Sequence, residues 1–184
     1  MINKLPGTTV ELAVHDATDA KSFLDNVFAC GGLMMSQVAR LTGLEPYMVQ
    51  NWVKRGFLSP PTQKLYSKRQ FCRIAIINML RDSLQIEKIT GLLSYINGRL
   101  NDESDDIIDD SDLYLYYIAA VCGLEKPVID SDYIKGHIER VVADFVEPFP
   151  GAKMRLCKVL AVMLNAQYAS ILRKRAEDIM NTLD

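Results

Sequence analysis

Residues 36–66, SQVARLTGLEPYMVQNWVKRGFLSPPTQKLY, constrain the fold of this chain more than any other segment. Gly43 interrupts a short helical pattern at a place where a tight turn between two helices needs a positive φ. Ala39 is small where a second helix would cross the first, and Leu44 and Val49 are apolar where the two helices would meet. Residue types at these intervals are typical of a helix-turn-helix.

Local signals set the expected ends of these two helices. Ser36 is a plausible N-cap for the first helix, which we expect to end at Gly43. Pro46 suits the first turn of the second helix, because the missing N–H of proline would be unpaired there in any case. The second helix is predicted to run to about Arg55 and to stop at Gly56.

A small β-hairpin and a third helix are expected to follow. Residues 57–66 are too short and too rich in proline for a helix, and Pro60 and Pro61 force a turn between two apolar pairs, Phe57-Leu58 and Leu65-Tyr66. Ser67, with Gln70 three residues later, forms a capping box that predicts the start of the next helix. A further helix is expected after Ser83, to about Leu100.

The second helix divides into an apolar and a polar face. Val49, Trp52 and Val53 fall on one side at 100° per residue. The opposite side carries amides suited to adenine edges, a lysine suited to guanine or phosphate, and a tyrosine suited to phosphate or a thymine methyl group. These candidate DNA-binding residues are Tyr47, Gln50, Asn51 and Lys54. Any amphipathic surface helix also has a solvated face, so this pattern alone is ambiguous.

Basic and polar residues around the predicted hairpin favour DNA. In a winged helix, cations of this kind lie along the phosphate backbone and displace its counterions. The further candidate residues are Arg55, Gln63, Lys64, Tyr66, Lys68 and Arg69. Residues 36–100 hold ten Lys or Arg against three Asp or Glu, a net charge of +7, although the whole chain has a net charge of −2. A basic surface without a partner is the alternative explanation of this cluster.

The segments NWVKRGFLSPP and KLYSKRQFCRI together resemble the MerR-type winged helix-turn-helix family. The resemblance covers residues 36–98 and is closer still to uncharacterised bacterial MerR-like domains that carry an N-[YW]-V-K-x-G core before a K-x-Y wing. It implies a transcriptional regulator that binds double-stranded DNA as a homodimer. The matching residues are Gly56, Phe57, Leu58 and Pro60 in the turn and Lys64, Leu65 and Tyr66 at the end of the wing.

Three features depart from the family's pattern. Gln50-Asn51 stands where the family usually has Arg-Tyr, so no base preference is carried over. About 35 residues precede the predicted DNA-binding unit, which usually lies at the extreme N-terminus. The usual dimerising coiled coil is not obvious after residue 98.

We therefore expect a mainly α protein: a MerR-like winged helix-turn-helix with a small β-hairpin wing and an α-helical C-terminal extension. Residues 1–34 would provide a supporting helix over residues 18–30, and residues 35–100 the DNA-binding domain. Residues 113–184 would form a helical region for dimerisation or effector binding, with helices near 112–122, 131–146 and 152–182. No effector is indicated by the sequence. A helical protein-interaction module without DNA binding is the alternative function.

Residues 101–112, NDESDDIIDDSD, are predicted to be an acidic linker. Residues 101–133 hold ten Asp or Glu against one Lys, a net charge of −9. A solvated linker is the main interpretation, and a segment that folds over the basic unit and competes with DNA is the alternative. The segment lacks the glycine and the final glutamate of an EF-hand loop, so calcium is not expected.

Other functional classes find little support. Cys30, Cys72, Cys122 and Cys157 form no CxxC pair, and no secretory signal or membrane span is recognisable, so a cytoplasmic protein with reduced thiols is expected. His15 and His137 are too isolated for a metal site. No catalytic or cofactor-binding motif appears, so we expect neither an enzyme nor a cofactor. The aromatic residues of the C-terminal region, among them Tyr114, Tyr116 and Tyr117, are expected in the core rather than around a ligand.

Overall fold

The computed structural model describes residues 1–100, 102, 105–124 and 131–183, and most of them are helical. The fold is therefore mainly α, as expected. Within this part of the chain the helices are α1 (Ala17–Val27), α2 (Met35–Thr42), α3 (Pro46–Lys54), α4 (Lys68–Leu80), α5 (Ile86–Asn97), α6 (Asp110–Cys122), α7 (Ser131–Val141) and α8 (Ala152–Met180). Two antiparallel sheets pair β1 (Ile2–Lys4) with β2 (Glu11–Val14) and β3 (Leu33–Met34) with β4 (Leu65–Tyr66).

Helices α2 and α3 follow one another across the predicted turn. Gly43 has a φ of 70° and ends α2, and Gly56 has a φ of 73° just beyond α3. Pro46 begins α3. The prediction of Ser36 as the N-cap is wrong, because the cap is Met34, whose backbone N–H donates to Oε1 of Gln37 at 2.8 Å. The side chain of Gln37 thus starts the helix two residues earlier.

The small hairpin is built differently from the prediction. β4 pairs with β3, which precedes α2, so that Leu33 lies opposite Tyr66 and both are buried. The tight turn lies at Gln63 and Lys64 instead of the two prolines. Since proline has no N–H to donate, residues 60 and 61 cannot supply the donors of a strand pair.

Helix α4 is the central helix of the fold. The predicted capping box is present: Ser67 Oγ accepts from the Gln70 N–H at 3.2 Å, and Gln70 Oε1 accepts from the Ser67 N–H at 2.9 Å. The buried residues run without a break from Phe71 to Ile77. A helix buried around its whole circumference needs neighbours on several sides, and α4 contacts α2, α5, α6 and α8.

The N-terminal β-hairpin was not predicted. Its strands are short and largely exposed, so they carry no clear alternation of apolar and polar residues. The loop between them lies directly on α4, because a Cβ on Gly7 would fall 2.0 Å from the Ala75 carbonyl oxygen. Asp16 caps α1 by accepting from the Thr18 N–H at 2.7 Å, and α1 ends at Val27, before the predicted residue 30.

The second half of the acidic segment packs into the protein. Ile107 and Ile108 are buried, and Asp110 is only 1% exposed at the start of α6. The prediction of a solvated linker is therefore wrong for residues 106–111, whereas Asp105 and Asp112 are exposed. Residues 101, 103 and 104 lie outside the described part of the chain. α6 packs against α4, so the core continues from α2, α3 and α4 into the C-terminal region.

The C-terminal region ends in the long helix α8. Its first half is buried through Leu156, Val159, Leu160 and Met163, whereas every residue from 171 to 180 is exposed. α7 ends at Val141 rather than at residue 146. Among the described residues, no helix is both long enough and apolar enough to span a membrane.

The isolated histidine and the aromatic residues of this region lie mainly in the core. His137 is buried with Nε2 2.8 Å from the Ala120 carbonyl oxygen. Tyr114 and Tyr117 are fully buried, as expected, while Tyr116 is half-buried against Phe145.

Candidate nucleic-acid interface

The polar face of α3 is open to solvent. Val49 and Trp52 are buried and attach the helix to the core. On the other side Tyr47 is 68% exposed, and Gln50, Asn51 and Lys54 are exposed too. No side chain in the described ranges forms a hydrogen bond or an ion pair with the side chains of these four residues. The predicted division of this helix into two faces is therefore confirmed.

The turn before β4 presents two further candidate residues. Gln63 and Lys64 are exposed and have φ values of 51° and 66°. Thr62 and Leu65 flank them and exchange backbone hydrogen bonds of 3.1 Å and 2.9 Å, as in a two-residue hairpin turn with positive φ at both centres. Asn and Gly are the residues preferred in such turns, so this turn keeps two long side chains in a backbone region that disfavours them.

Helix α2 connects these two exposed features, since it contacts α3, β3 and β4. The buried pair Leu33 and Tyr66 fixes the position of the turn relative to α2. Burial raises the pKa of Tyr66. Tyr66 therefore supports the turn from within the core instead of offering its side chain to a ligand.

Arg55, just after α3, is held by an exposed ion pair. Its Nη2 lies 2.6 Å from Oε1 of Glu87, and its guanidinium lies 4.5 Å above the Phe57 ring. A hydrogen bond from its own backbone N–H and the pair with Arg55 lower the pKa of Glu87. Both side chains remain about half exposed, so solvent screens the pair.

Lys68, at the start of α4, also has an acidic partner. Its Nζ lies 2.9 Å from Oδ1 of Asp25 on α1. This hydrogen bond raises the pKa of Lys68. The hydrogen bonds from Lys21 and from Lys68 lower the pKa of Asp25. The pair joins the supporting helix α1 to the first turn of α4.

Arg69 is engaged more deeply by the acidic segment. Its Nη2 bonds Oδ2 of Asp106, and its Nε lies 3.6 Å from Asp109 and 3.9 Å from Asp110. Burial of Arg69 would lower its pKa, but the hydrogen bond and charge of Asp106 raise it on balance. Only 21% of the side chain is exposed. Arg69 thus stabilises the packed conformation of the acidic segment.

Arg73, one helical turn further along, was not predicted as a site residue. It is buried, with Nη1 3.0 Å from Oδ2 of Asp110 and Nε 3.0 Å from the Phe57 carbonyl oxygen. Oδ1 of Asp110 accepts from Asn97 at 3.0 Å. Two arginines spaced i, i+4 on an otherwise apolar face of α4 are the sequence signal that could have predicted this buried network.

The acidic segment therefore pairs with the two arginines of α4. Asp106, Asp109 and Asp110 contact Arg69 and Arg73, whereas the polar face of α3 and the turn at Gln63 and Lys64 stay exposed. Negative charge thus folds onto the basic unit, as the alternative interpretation required, and leaves the α3 face and the turn exposed. Competition with DNA stays a prediction.

The chain belongs to the family described as Domain of unknown function (DUF1836), whose model matches residues 14–117. The match begins at the end of β2 and ends within α6, so it includes helices α1 to α5 and the packed part of the acidic segment. No curated protein and no solved structure matches this chain.

Proposed function

We propose that this protein is a sequence-specific DNA-binding transcriptional regulator of bacterial type, with residues 35–100 as a MerR-like winged helix-turn-helix. The observation that carries the proposal is the polar face of α3. It presents two amides, a lysine and a tyrosine to solvent on a helix whose other face is anchored by Val49 and Trp52. A helix of this kind fits the major groove, where amides can bond the adenine edge.

The turn at Gln63 and Lys64 would act as the wing. Lys64 would neutralise a phosphate, and Gln63 would donate to a phosphate oxygen. Arg55 and Lys68 can join them by exchanging exposed carboxylates for phosphates, since such exposed pairs contribute only about 0–1 kcal/mol. Arg69 and Tyr66 would act indirectly, by holding the acidic segment and the turn in place.

Dimerisation would use the exposed end of α8. Ala169, Leu172, Ala176, Ile179 and Leu183 recur at intervals of three and four residues and are all exposed. Such spacing forms an apolar seam between paired helices. Residues 173–175 are basic and residues 177–178 acidic, so an antiparallel second copy would place opposite charges side by side. The dimer would bind two half-sites on double-stranded DNA in the cytoplasm.

A protein-interaction module is the second candidate, and one observation favours it. Of the five cationic candidates, Arg55, Lys68 and Arg69 are paired with carboxylates of the same chain. Lys54 and Lys64 remain as exposed cations without an ion pair among the described residues. A surface with so few free cations also suits an acidic or polar protein partner.

The salt dependence of DNA binding separates the two candidates. Fluorescent duplexes from the promoter next to the gene would be titrated with protein at several salt concentrations. The regulator should lose affinity steeply as salt increases, and Lys64→Gln should reduce the slope of log K against log[salt] by about one. Lys158→Gln, an exposed lysine on α8, is the matched control and should leave the slope unchanged. Absence of salt-dependent binding at micromolar protein would favour the interaction module.

A further inference from the structure

A cavity of about 420 Å³ lies between the N-terminal hairpin, the end of α4, α6 and α8. Its volume is at the lower end of the range found for small-molecule sites, about 300–1,000 Å³. Its wall is mostly polar, with Thr8, Asn78 and Ser170 among the lining residues. None of the candidate DNA-binding residues lines this cavity.

The charges around the cavity are mainly positive. Lys4, Arg81 and Lys174 line it, against the single carboxylate of Asp82. Asp82 is paired with Lys174 at 3.6 Å. In the part of the chain that is described, neither Lys4 nor Arg81 forms an ion pair, and Nη1 of Arg81 meets only the weak acceptor Sδ of Met48 at 3.6 Å. Two cations are therefore free to bind an anion.

A buried hydroxyl without a partner also belongs to this wall. Tyr117 lines the cavity and is fully buried, yet its hydroxyl has no hydrogen-bond partner among the described residues. Leaving such a group unpaired destabilises a folded protein, so its presence calls for an explanation. Burial raises the pKa of Tyr117, which keeps the hydroxyl protonated and able to donate.

We propose that the cavity binds a small metabolite with an anionic oxygen group, a carboxylate or a phosphate, which pairs with Lys4 and Arg81 while another acceptor atom takes the hydrogen bond of Tyr117. Charge-assisted hydrogen bonds of this kind are about twice as strong as neutral ones. The unpaired hydroxyl and the unpaired cations find their partners in one ligand.

The cavity is connected to the helix-turn-helix by the loop between β1 and β2. Thr9 donates from its N–H to the Leu41 carbonyl oxygen at 2.8 Å and from Oγ1 to that of Arg40 at 2.7 Å. Asn78 donates to the carbonyl oxygens of Gly7 and Thr42 at 2.9 Å and 3.0 Å. A ligand that contacts this loop would therefore affect the position of the end of α2 and of the turn that follows it. Control of DNA binding by the ligand rests on the proposed function, whereas ligand binding does not.

Calorimetry on the full chain without DNA tests the site. The probes are citrate, pyrophosphate and 3-phosphoglycerate at millimolar concentration, with glycerol as the neutral control at matched ionic strength. At least one anion should bind with one-to-one stoichiometry. Lys4→Gln with Arg81→Gln should weaken it tenfold or more, on the order expected for lost charge-assisted bonds. The matched double variant Lys135→Gln with Lys158→Gln, also exposed lysines, should bind as the parent does.

Tyr117→Phe separates a site from a packing defect. Removal of an unpaired hydroxyl should raise the melting temperature of the free protein. If the proposal is right, the same variant binds the anion about tenfold more weakly. Unchanged affinity in Tyr117→Phe, unchanged affinity in the Lys4 and Arg81 double variant (an adventitious ion only), or no binding of any probe would each overturn it.

A second measurement separates this site from the proposed function. The ligand found by calorimetry would be added to the DNA titration, where its coupling should change DNA affinity severalfold. If the protein binds the anion but no DNA, the cavity assignment stands and the proposed function fails. If the protein binds DNA but no anion, the proposed function stands and the cavity assignment fails.

Discussion

At the scale of single residues, the turn at Gln63 and Lys64 is the clearest departure from local preference. Both residues have positive φ, where side chains with a Cβ are disfavoured by about 1–2 kcal/mol each. Strained backbone of this kind concentrates at functional positions. We interpret the turn as one in which long polar side chains are kept for binding in place of the more stable Asn-Gly pair.

Replacing the turn by Gln63→Asn with Lys64→Gly should stabilise the protein by about 1 kcal/mol, because relief of strain exceeds the added chain entropy of glycine. The same change should weaken DNA binding and reduce its salt dependence. Urea denaturation and fluorescence anisotropy measure the two effects. A more stable protein with unchanged DNA affinity would remove the wing from the proposed interface.

The buried pair of Arg73 and Asp110 gives a second expectation at this scale. Asp110→Ala should destabilise the protein by about 3–5 kcal/mol, because it leaves the Arg73 charge buried without its partner. Glu11→Gln, at an exposed position of β2, should change the free energy of unfolding by less than about 0.5 kcal/mol. Urea denaturation with circular dichroism compares the two. If the two variants lose similar amounts of unfolding free energy, solvent reaches the pair of Arg73 and Asp110.

At the scale of elements, α3 is the segment whose structure follows most directly from its residues. Pro46 starts it and Gly56 follows its end, and its apolar residues fall on one face. Its faces were predictable because helical periodicity relates neighbours in sequence to neighbours in space. In the proposed regulator, the base preference of the exposed face would depend on Gln50 and Asn51, which differ from the usual residues of the resembled family.

Gln50→Ala and Asn51→Ala should each weaken binding to the specific site by about 1–3 kcal/mol and leave non-specific binding nearly unchanged, since amides read base edges. Anisotropy titrations with the specific duplex and with a scrambled duplex measure both quantities. Asn26→Ala, an exposed amide on α1, is the control and should affect neither. An equal loss on both duplexes would assign the two amides to phosphate contacts.

The acidic segment is the element that the sequence described least well. Its composition is that of a solvated linker, yet Ile107 and Ile108 enter the core and Asp110 is buried. Arg69 and Arg73 make the burial of this segment favourable. Arg69 pairs with Asp106 and Arg73 with Asp110, each 37 positions later in the sequence. Composition averages over a segment and carries no information about a partner so distant in sequence.

At the scale of the whole molecule, the family match and the packing agree on one extended unit. The family model matches residues 14–117, which include the first part of α6, and α6 packs against α4, so the matched unit extends beyond residues 35–100 on both sides. α8 covers this unit with its first half and leaves its last turns exposed. A partner for this exposed end is the remaining requirement of the proposed regulator.

Leu172→Glu with Ile179→Glu should convert a dimer into a monomer, since charges at the apolar seam cannot pair across an antiparallel interface. Size-exclusion chromatography with light scattering would then change from twice the 20.7 kDa chain mass to that mass. Asn181→Glu, on the other side of the same exposed segment, should leave the mass unchanged. A parent protein that is already monomeric would refute the seam.

The sequence by itself determined the local features: the two helices on either side of Gly43, the capping box of Ser67 and Gln70, and the two faces of α3. Each depends on residues within one or two turns of each other, so backbone sterics and periodicity suffice. Only the tertiary structure decided the pairing of β3 with β4, the burial of the acidic segment and the cavity beside Tyr117. Those features join residues far apart in sequence, and their energy comes from desolvated contacts that exist only after the chain has folded.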